Sequence, residues 1–218
     1  ALYATLGSIA SFGEGILFDG NHAGVQGGAL KFGGASTVTF HACTSFSYRT
    51  TDGFGGILSI LSSTAYWKGD TTFSGNTTSS SDAVISDLNP ETYDFWGDVP
   101  HSSLNASLSG NVVFTNNAAV WGGALHLSSS DVSWSGDAVF SNNTADDSGG
   151  ALHVSSSNVS WAGDVVFFNN IANDSGGALY ISSSNVSWAG NMVVSDNTAI
   201  ESGGALYVSS SNVSWAGN

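Results

Sequence analysis

A block of residues returns every 27 positions in this chain. Gly-Gly-Ala-Leu stands at Gly122–Leu125, Gly149–Leu152, Gly176–Leu179 and Gly203–Leu206, and Trp134, Trp161, Trp188 and Trp215 keep the same step. A unit of this length has too little interior to bury its apolar face alone. Repeats of about 20–50 residues therefore stack, each covering its neighbour, as a solenoid, propeller or array.

One repeat, Gly176 to Ser202, reads as one coil. Leu179 and Ile181 alternate with Tyr180, the period-two mark of a strand with one buried face. Ser182-Ser183-Ser184 is a turn, Val186 and Trp188 alternate with Asn185 and Ser187 as a second strand, and Ala189-Gly190-Asn191 is a second turn. Met192 and Val194 form a third inward pair around Val193, and Asp196-Asn197 with Ser202 and Gly203 make the last corner. Gly pairs, Ser runs and β-branched residues all oppose helix. In-register stacking at about 4.8 Å per rung predicts interior ladders of Leu125/Leu152/Leu179/Leu206, of Trp134/Trp161/Trp188/Trp215 and of Phe114/Phe140/Phe167/Val194. The paired glycines suit a sharp corner with φ > 0.

The first half follows the same grammar more loosely. Gly27–Leu30 and Gly55–Leu58 are further corner motifs, and Ser81-Asp82-Ala83-Val84 occupies the next expected position. Both prolines, Pro90 and Pro100, fall in the stretch that follows. Residues 85–107 read as a loop pushed out of the solenoid, with Tyr93, Phe95 and Trp96 as candidate contact residues, because exposed aromatics mark partner or sugar binding.

Composition removes several functions. Three Lys+Arg stand against 17 Asp+Glu, a formal charge of −14. Phosphate binding needs clustered bases, so nucleic acid is not an expected partner, and anionic membrane surfaces are disfavoured for the same reason. No apolar run is long enough to insert in a bilayer. Trypsin finds only Lys31, Arg49 and Lys68, which suits an exposed protein. The one cysteine, Cys43, allows no internal disulfide and reads as a small buried hydrophobe. The chain opens and closes in mid-repeat and looks like an excerpt of a longer one.

Gly-Gly-Ala-Leu recurs together with Phe-x-x-Asn, seen at Phe18–Asn21, Phe73–Asn76, Phe114–Asn117, Phe140–Asn143 and Phe167–Asn170, with Val194–Asn197 as a variant. This pairing resembles the repeats of the chlamydial polymorphic outer-membrane proteins. The resemblance implies an autotransporter-like, β-helical passenger displayed outside the cell and linked to adhesion. The strict tryptophan in each rung and the uniform period depart from that family's pattern. Independently of family, Asn117, Asn143, Asn170 and Asn197 at one corner can bond the backbone above and below and tolerate left-handed conformations.

Candidate chemistry is thin. Asp146-Asp147 is the one adjacent carboxylate pair, but its corner reads Asn173-Asp174 and Ile200-Glu201 in later rungs, and a catalytic residue is normally singular; no enzyme activity is expected. Asp70, Asp137 and Asp164 share a corner with Asn111, Asn191 and Asn218. Such oxygens could hold Ca²⁺, which takes about 6–8 of them, yet a solvated polar corner explains them equally, so no metal or cofactor is expected. His126 and His153 are read as outward-facing on adjacent rungs, with Tyr180 and Tyr207 continuing the row. Glycosylation sequons lie at Asn76, Asn105, Asn142, Asn158, Asn173, Asn185 and Asn212.

The expected fold is all-β: a right-handed parallel β-helix, a three-faced solenoid of about 27 residues per rung and seven to eight rungs, one domain over 1–218. The expected role is an extracellular or cell-surface structural protein, a glycosylated fibre, appendage or stalk. Its partner would be itself, by self-association into a filament or by continuation of the same solenoid. The alternative is an adhesin passenger binding glycan or a host surface through the inserted loop; a polysaccharide-acting enzyme comes third.

Overall fold

The computed structural model describes residues 2–4, 7–13, 15–23, 28–47, 50–51, 58–60, 63–78, 85–86 and 104–217. Among them there is no helix; short strands follow one another with a turn after each. The turn that begins at Gly176 shows the plan. Leu179–Ser182 lies in sheet A, Asn185–Trp188 in sheet B, Met192–Ser195 in sheet C and Thr198–Ala199 in sheet D. Sheets A and B each hold eight strands, C and D seven, and consecutive turns are neighbours throughout. Pairing is parallel, and the register follows the repeat: Leu152↔Leu179↔Leu206 in A, Trp134↔Trp161↔Trp188↔Trp215 in B, Phe114↔Phe140↔Phe167↔Val194 in C. The fold is a parallel β-solenoid.

Sheet D corrects the three-strand reading of a rung. Ala119, Ala145 and Ala172 stack as buried residues in two-residue strands that the sequence pattern hides, since two residues cannot show an alternation.

The core is a set of vertical columns. Phe18, Phe46, Phe73, Phe114, Phe140 and Phe167 stack nearly parallel with ring centroids 4.8–4.9 Å apart, the spacing of strands in a sheet. Beside them run Phe12, Phe40 and Trp67, then Leu108, then the four tryptophans. Burying each such side chain stabilises the fold by roughly 1.5–3 kcal/mol. The indole Nε1 atoms of Trp67, Trp134, Trp161 and Trp188 are buried without a protein acceptor. That costs about 1–3 kcal/mol each, which ring stacking and burial must outweigh. Val194 continues the phenylalanine column only in register. It lies on the edge strand of sheet C and is 41% exposed.

The glycine pair does two different jobs. Gly149 has φ +70°, whereas Gly150 is needed for space: a Cβ there would fall on the carbonyl oxygens of Gly177 and Ile171. Backbone that cannot yield makes both positions intolerant of a side chain.

Three expectations need adjustment. Ile85, not Val84, takes the leucine position of sheet A, since Ile85 pairs with Leu58 and Leu125. Ile85–Ser86 and Asn105–Leu108 are strands of the stack, so the ends of the expected 85–107 insertion belong to the ladders; residues 87–103 lie outside the described residues. Cys43 is exposed, on the turn before Thr44–Ser47, rather than buried.

Candidate functional site

The corners are bonded internally, and this decides which polar groups remain for function. At one corner Asn117, Asn143, Asn170 and Asn197 form a buried or half-buried ladder. The Asn143 Nδ2 donates to Phe114 O (3.2 Å) and to Asn170 Oδ1 (3.0 Å), while Asn143 Oδ1 accepts from the backbone N and Nδ2 of Asn117 (3.1 and 3.0 Å). The left-handed residue is the one before: Asn116, Asn142, Asn169 and Asp196 have φ of 52–56°. The ladder asparagine therefore bonds, and its predecessor turns the chain.

A second ladder runs through the last serine of each Ser-Ser-Ser. Ser157 Oγ donates to Ser155 O (2.7 Å) and accepts from Ser130 N (3.0 Å), with Ser184 repeating the pattern. A third uses the acidic corner. Asp70 Oδ1 accepts from Asn111 N (2.8 Å), Asn111 Oδ1 from Asp137 N (2.9 Å), Asp137 Oδ1 from Asp164 N (2.9 Å) and Asp164 Oδ1 from Asn191 N (2.8 Å). One oxygen of each is thus spent on the backbone of the next turn; Asn218 lies outside the described residues. No group of three or more His, Cys, Asp or Glu suited to a metal occurs among the described residues.

The outer side of sheet A carries an aromatic column: His126, His153, Tyr180 and Tyr207 at centroid spacings of 4.7–4.9 Å. It is not the open row expected. Trp121 folds over its start, 5.9 Å from His126 and 6.3 Å from His153, and His126 is buried. The Nδ1 atoms of both histidines lack a hydrogen-bond partner. Burial holds His126 well below the usual imidazole range, with His153 adding repulsion. Burial also lowers His153 to about 4, against the opposing pull of Asp147. Tyr180 is raised, first by desolvation, then by Tyr207, Asp174 and Asp147. Both imidazoles are neutral at pH 7. Trp121 gave no periodic signal, because Ser148, Ser175 and Ser202 occupy its place in later turns.

The outer side of sheet B is polar. Asn158, Asn185 and Asn212 face solvent beside Ser160, Ser187 and Ser214. Asn185 Nδ2 donates to Asn158 Oδ1 (3.1 Å) and Asn212 Nδ2 to Asn185 Oδ1 (3.0 Å). With Asp131 these residues line an open groove of about 530 Å³. Across the serine column lies a second depression of about 300 Å³, bordered by Ser107, Ser133, Ser160 and Ser187. Tyr66, 40% exposed, pairs with Ser107 and heads this column.

The sequon residues separate sharply. Asn76 is fully buried, donating through Nδ2 to Phe46 O (3.1 Å) and Asn117 Oδ1 (3.0 Å). It cannot accept a glycan while folded, which corrects its inclusion above. Asn105, Asn142, Asn158, Asn173, Asn185 and Asn212 are exposed. Of the carboxylate pair, Asp146 is exposed and Asp147 half-buried, where it accepts from Ser148 Oγ (2.8 Å). Tyr93, Phe95 and Trp96 lie outside the described residues.

No curated protein and no solved structure matches the chain. Three stretches, 111–128, 137–155 and 164–182, match the family model described as the Chlamydia polymorphic membrane protein repeat. Each runs from the acidic corner through sheet C, the asparagine ladder, sheet D and the glycine pair to the end of the sheet A strand. Three successive turns of this solenoid are therefore similar in sequence to polymorphic membrane protein repeats.

Proposed function

We propose that the chain is the rigid stack of a cell-surface structural protein, a right-handed parallel β-helix serving as stalk, fibre or appendage. Parallel crossovers within a sheet are right-handed in nearly all proteins, which supports the hand. The observation that carries the function is the continuity of the ladders. Core columns and hydrogen-bonded corners pass from turn to turn in one register, so each added turn lengthens the rod without a new design. Eight strands in a sheet at about 4.8 Å apart make a rod of roughly 34 Å. The scarcity of Lys and Arg and the match to repeats of a membrane-protein family support display outside the cell. The exposed sequon asparagines are the glycan acceptors of this reading where the source glycosylates secreted proteins.

Electron microscopy of the native material, with antibody labelling of intact cells, tests it. Rods or filaments and labelling without permeabilisation are expected. Compact particles, or labelling only after permeabilisation, would overturn the proposal. Short separate rods would keep the stalk and exclude the filament.

A further inference from the structure

We infer that the outer face of sheet B binds a linear, uncharged polysaccharide lying along the stack. The inference goes beyond surface display and does not depend on it.

The first argument is the state of the polar groups. In the corners the ladder asparagines, the last serine of each Ser-Ser-Ser and one oxygen of each acidic-corner residue are committed to the fold. On sheet B the hydroxyls of Ser133, Ser160, Ser187 and Ser214 face outward at one per turn and make no hydrogen bond to another described residue. The neighbouring amides are bonded head to tail. That bonding fixes each carboxamide in one orientation and leaves it a second N–H and a second lone pair. A regular double row of oriented donors and acceptors, already ordered, loses little entropy on binding.

The second argument is charge. Asp131 is the one ionisable residue lining the groove, and the chain as a whole carries −14. A sulfated or carboxylated polymer is repelled, and a basic peptide finds one carboxylate. A neutral polyhydroxylated chain matches the donor set.

The third is geometry. The groove runs across successive turns, from the strand of Asp131 to that of Ser214. A strand spacing of about 4.8 Å is close to the advance of one pyranose in an extended chain, so successive sugars meet equivalent groups. Tyr66 stands at the head of the serine column with its ring partly open, and the C–H face of a sugar packs against such a ring. The sheet A column cannot do this, because the ring faces of His153, Tyr180 and Tyr207 are already stacked on one another.

Cosedimentation of the chain with cellulose and with chitin particles, at low and high salt, tests the inference. Saturable binding to at least one of them is expected, and it should persist at high salt. Ser160→Lys/Ser187→Lys fills the groove with two long side chains and removes two hydroxyl acceptors, so binding should weaken by about tenfold or more. Val139→Lys/Val166→Lys adds the same charge on the outer side of sheet C and should leave binding unchanged. All four positions face outward, and circular dichroism confirms that the variants fold. Absence of binding to both polymers, loss of binding at high salt, or equal behaviour of the two double variants would each overturn the inference. None of these results bears on whether the chain is displayed, which the microscopy decides.

Discussion

In the first turns the left-handed corner positions are filled mainly by glycine, at Gly20, Gly34 (with Ala35 beside it) and Gly75; from the fourth turn on they are Asn116, Ser129, Asn142, Ser156 and their equivalents. The inward position that opens sheet C is Ile16 in the first turn, Thr44 and Thr71 in the next two, each hydroxyl tied to a carbonyl two residues back, and Val112, Ala138 and Val165 later. The Phe column crosses both halves without change of spacing. What the stack demands is therefore a property at each position: a φ, a volume, a satisfied hydrogen bond. Several residues meet each demand. The asparagine ladder behaves differently. Asn21 in the first turn bonds locally, Nδ2 to Asp19 O (3.1 Å), whereas Asn76 and its successors bond across turns. A ladder of this kind needs the same residue above and below, so identity matters there.

That contrast gives the largest predicted effect. Asn143→Ala removes two donated and two accepted hydrogen bonds in a buried site and strands the donors of Asn117. A loss of about 4–6 kcal/mol is expected, read by denaturant melts and by faster amide exchange around Phe114 and Asn170. Asn21→Ala, which breaks one local bond at an exposed site, should cost less than about 1 kcal/mol. Equal losses would mean that the cross-turn bonds add nothing.

The second test compares aromatic columns. Trp161 is 2% exposed and stacked between Trp134 and Trp188 at 4.5 and 5.9 Å. Trp161→Ala should cost about 3–5 kcal/mol through the cavity it opens. Half-buried Phe12 stacks on Phe40 alone within its column, so Phe12→Ala should lose about half as much. The third compares glycines. Gly150→Ala drives a methyl into backbone carbonyls and should cost about 1–3 kcal/mol. Gly13→Ala meets open space and should be neutral or stabilise by up to about 1 kcal/mol. A melting curve unchanged by Gly150→Ala would show that the corner relaxes.

These contrasts also mark what the sequence makes legible. A repeat of fixed period announces stacking because it returns in four copies, and alternation around Trp161 and Phe140 announces which side faces in because it survives in a stretch of three or four residues. Sheet D is invisible for want of length. The burial of His126 is invisible because its cover, Trp121, occurs once, and periodic reasoning discounts what does not recur. Asn76 looked like a glycan acceptor because a sequon is read from three residues, while its burial depends on a partner 41 residues away. The polar face of sheet B is the opposite case: Asn158 and Ser160 are plain in the sequence, but only the fold aligns them with Asn185 and Ser187 into one groove.

The smallest effect sharpens the comparison by pH. The covered histidines belong to the second half; the equivalent positions earlier are Lys31, Ser59 and Ser86. An unfolded histidine takes a proton near pH 6.5, whereas folded His153 does so only near 4 and His126 is also lowered. Above pH 6.5 both states hold neutral imidazoles and the burial stabilises fully. As pH falls below that value the unfolded chain binds protons that the folded chain refuses, so stability drops until about pH 4, where His153 titrates in place. The groups packed on His126 and His153 are Trp121, Tyr180 and Asp147; of these, Asp147 favours the proton and so softens the drop. His126→Leu/His153→Tyr isolates the contribution of the imidazoles, keeping an apolar plug under Trp121 and extending the Tyr180 stack. Between pH 7 and pH 4 the melting temperature of the parent should fall relative to that of the variant, and the loss in amide protection should begin around Leu125–Ser155 and leave Phe32–Phe46 untouched. Parallel curves for parent and variant would show that the imidazoles under Trp121 reach water freely, and the two halves would then differ in composition alone.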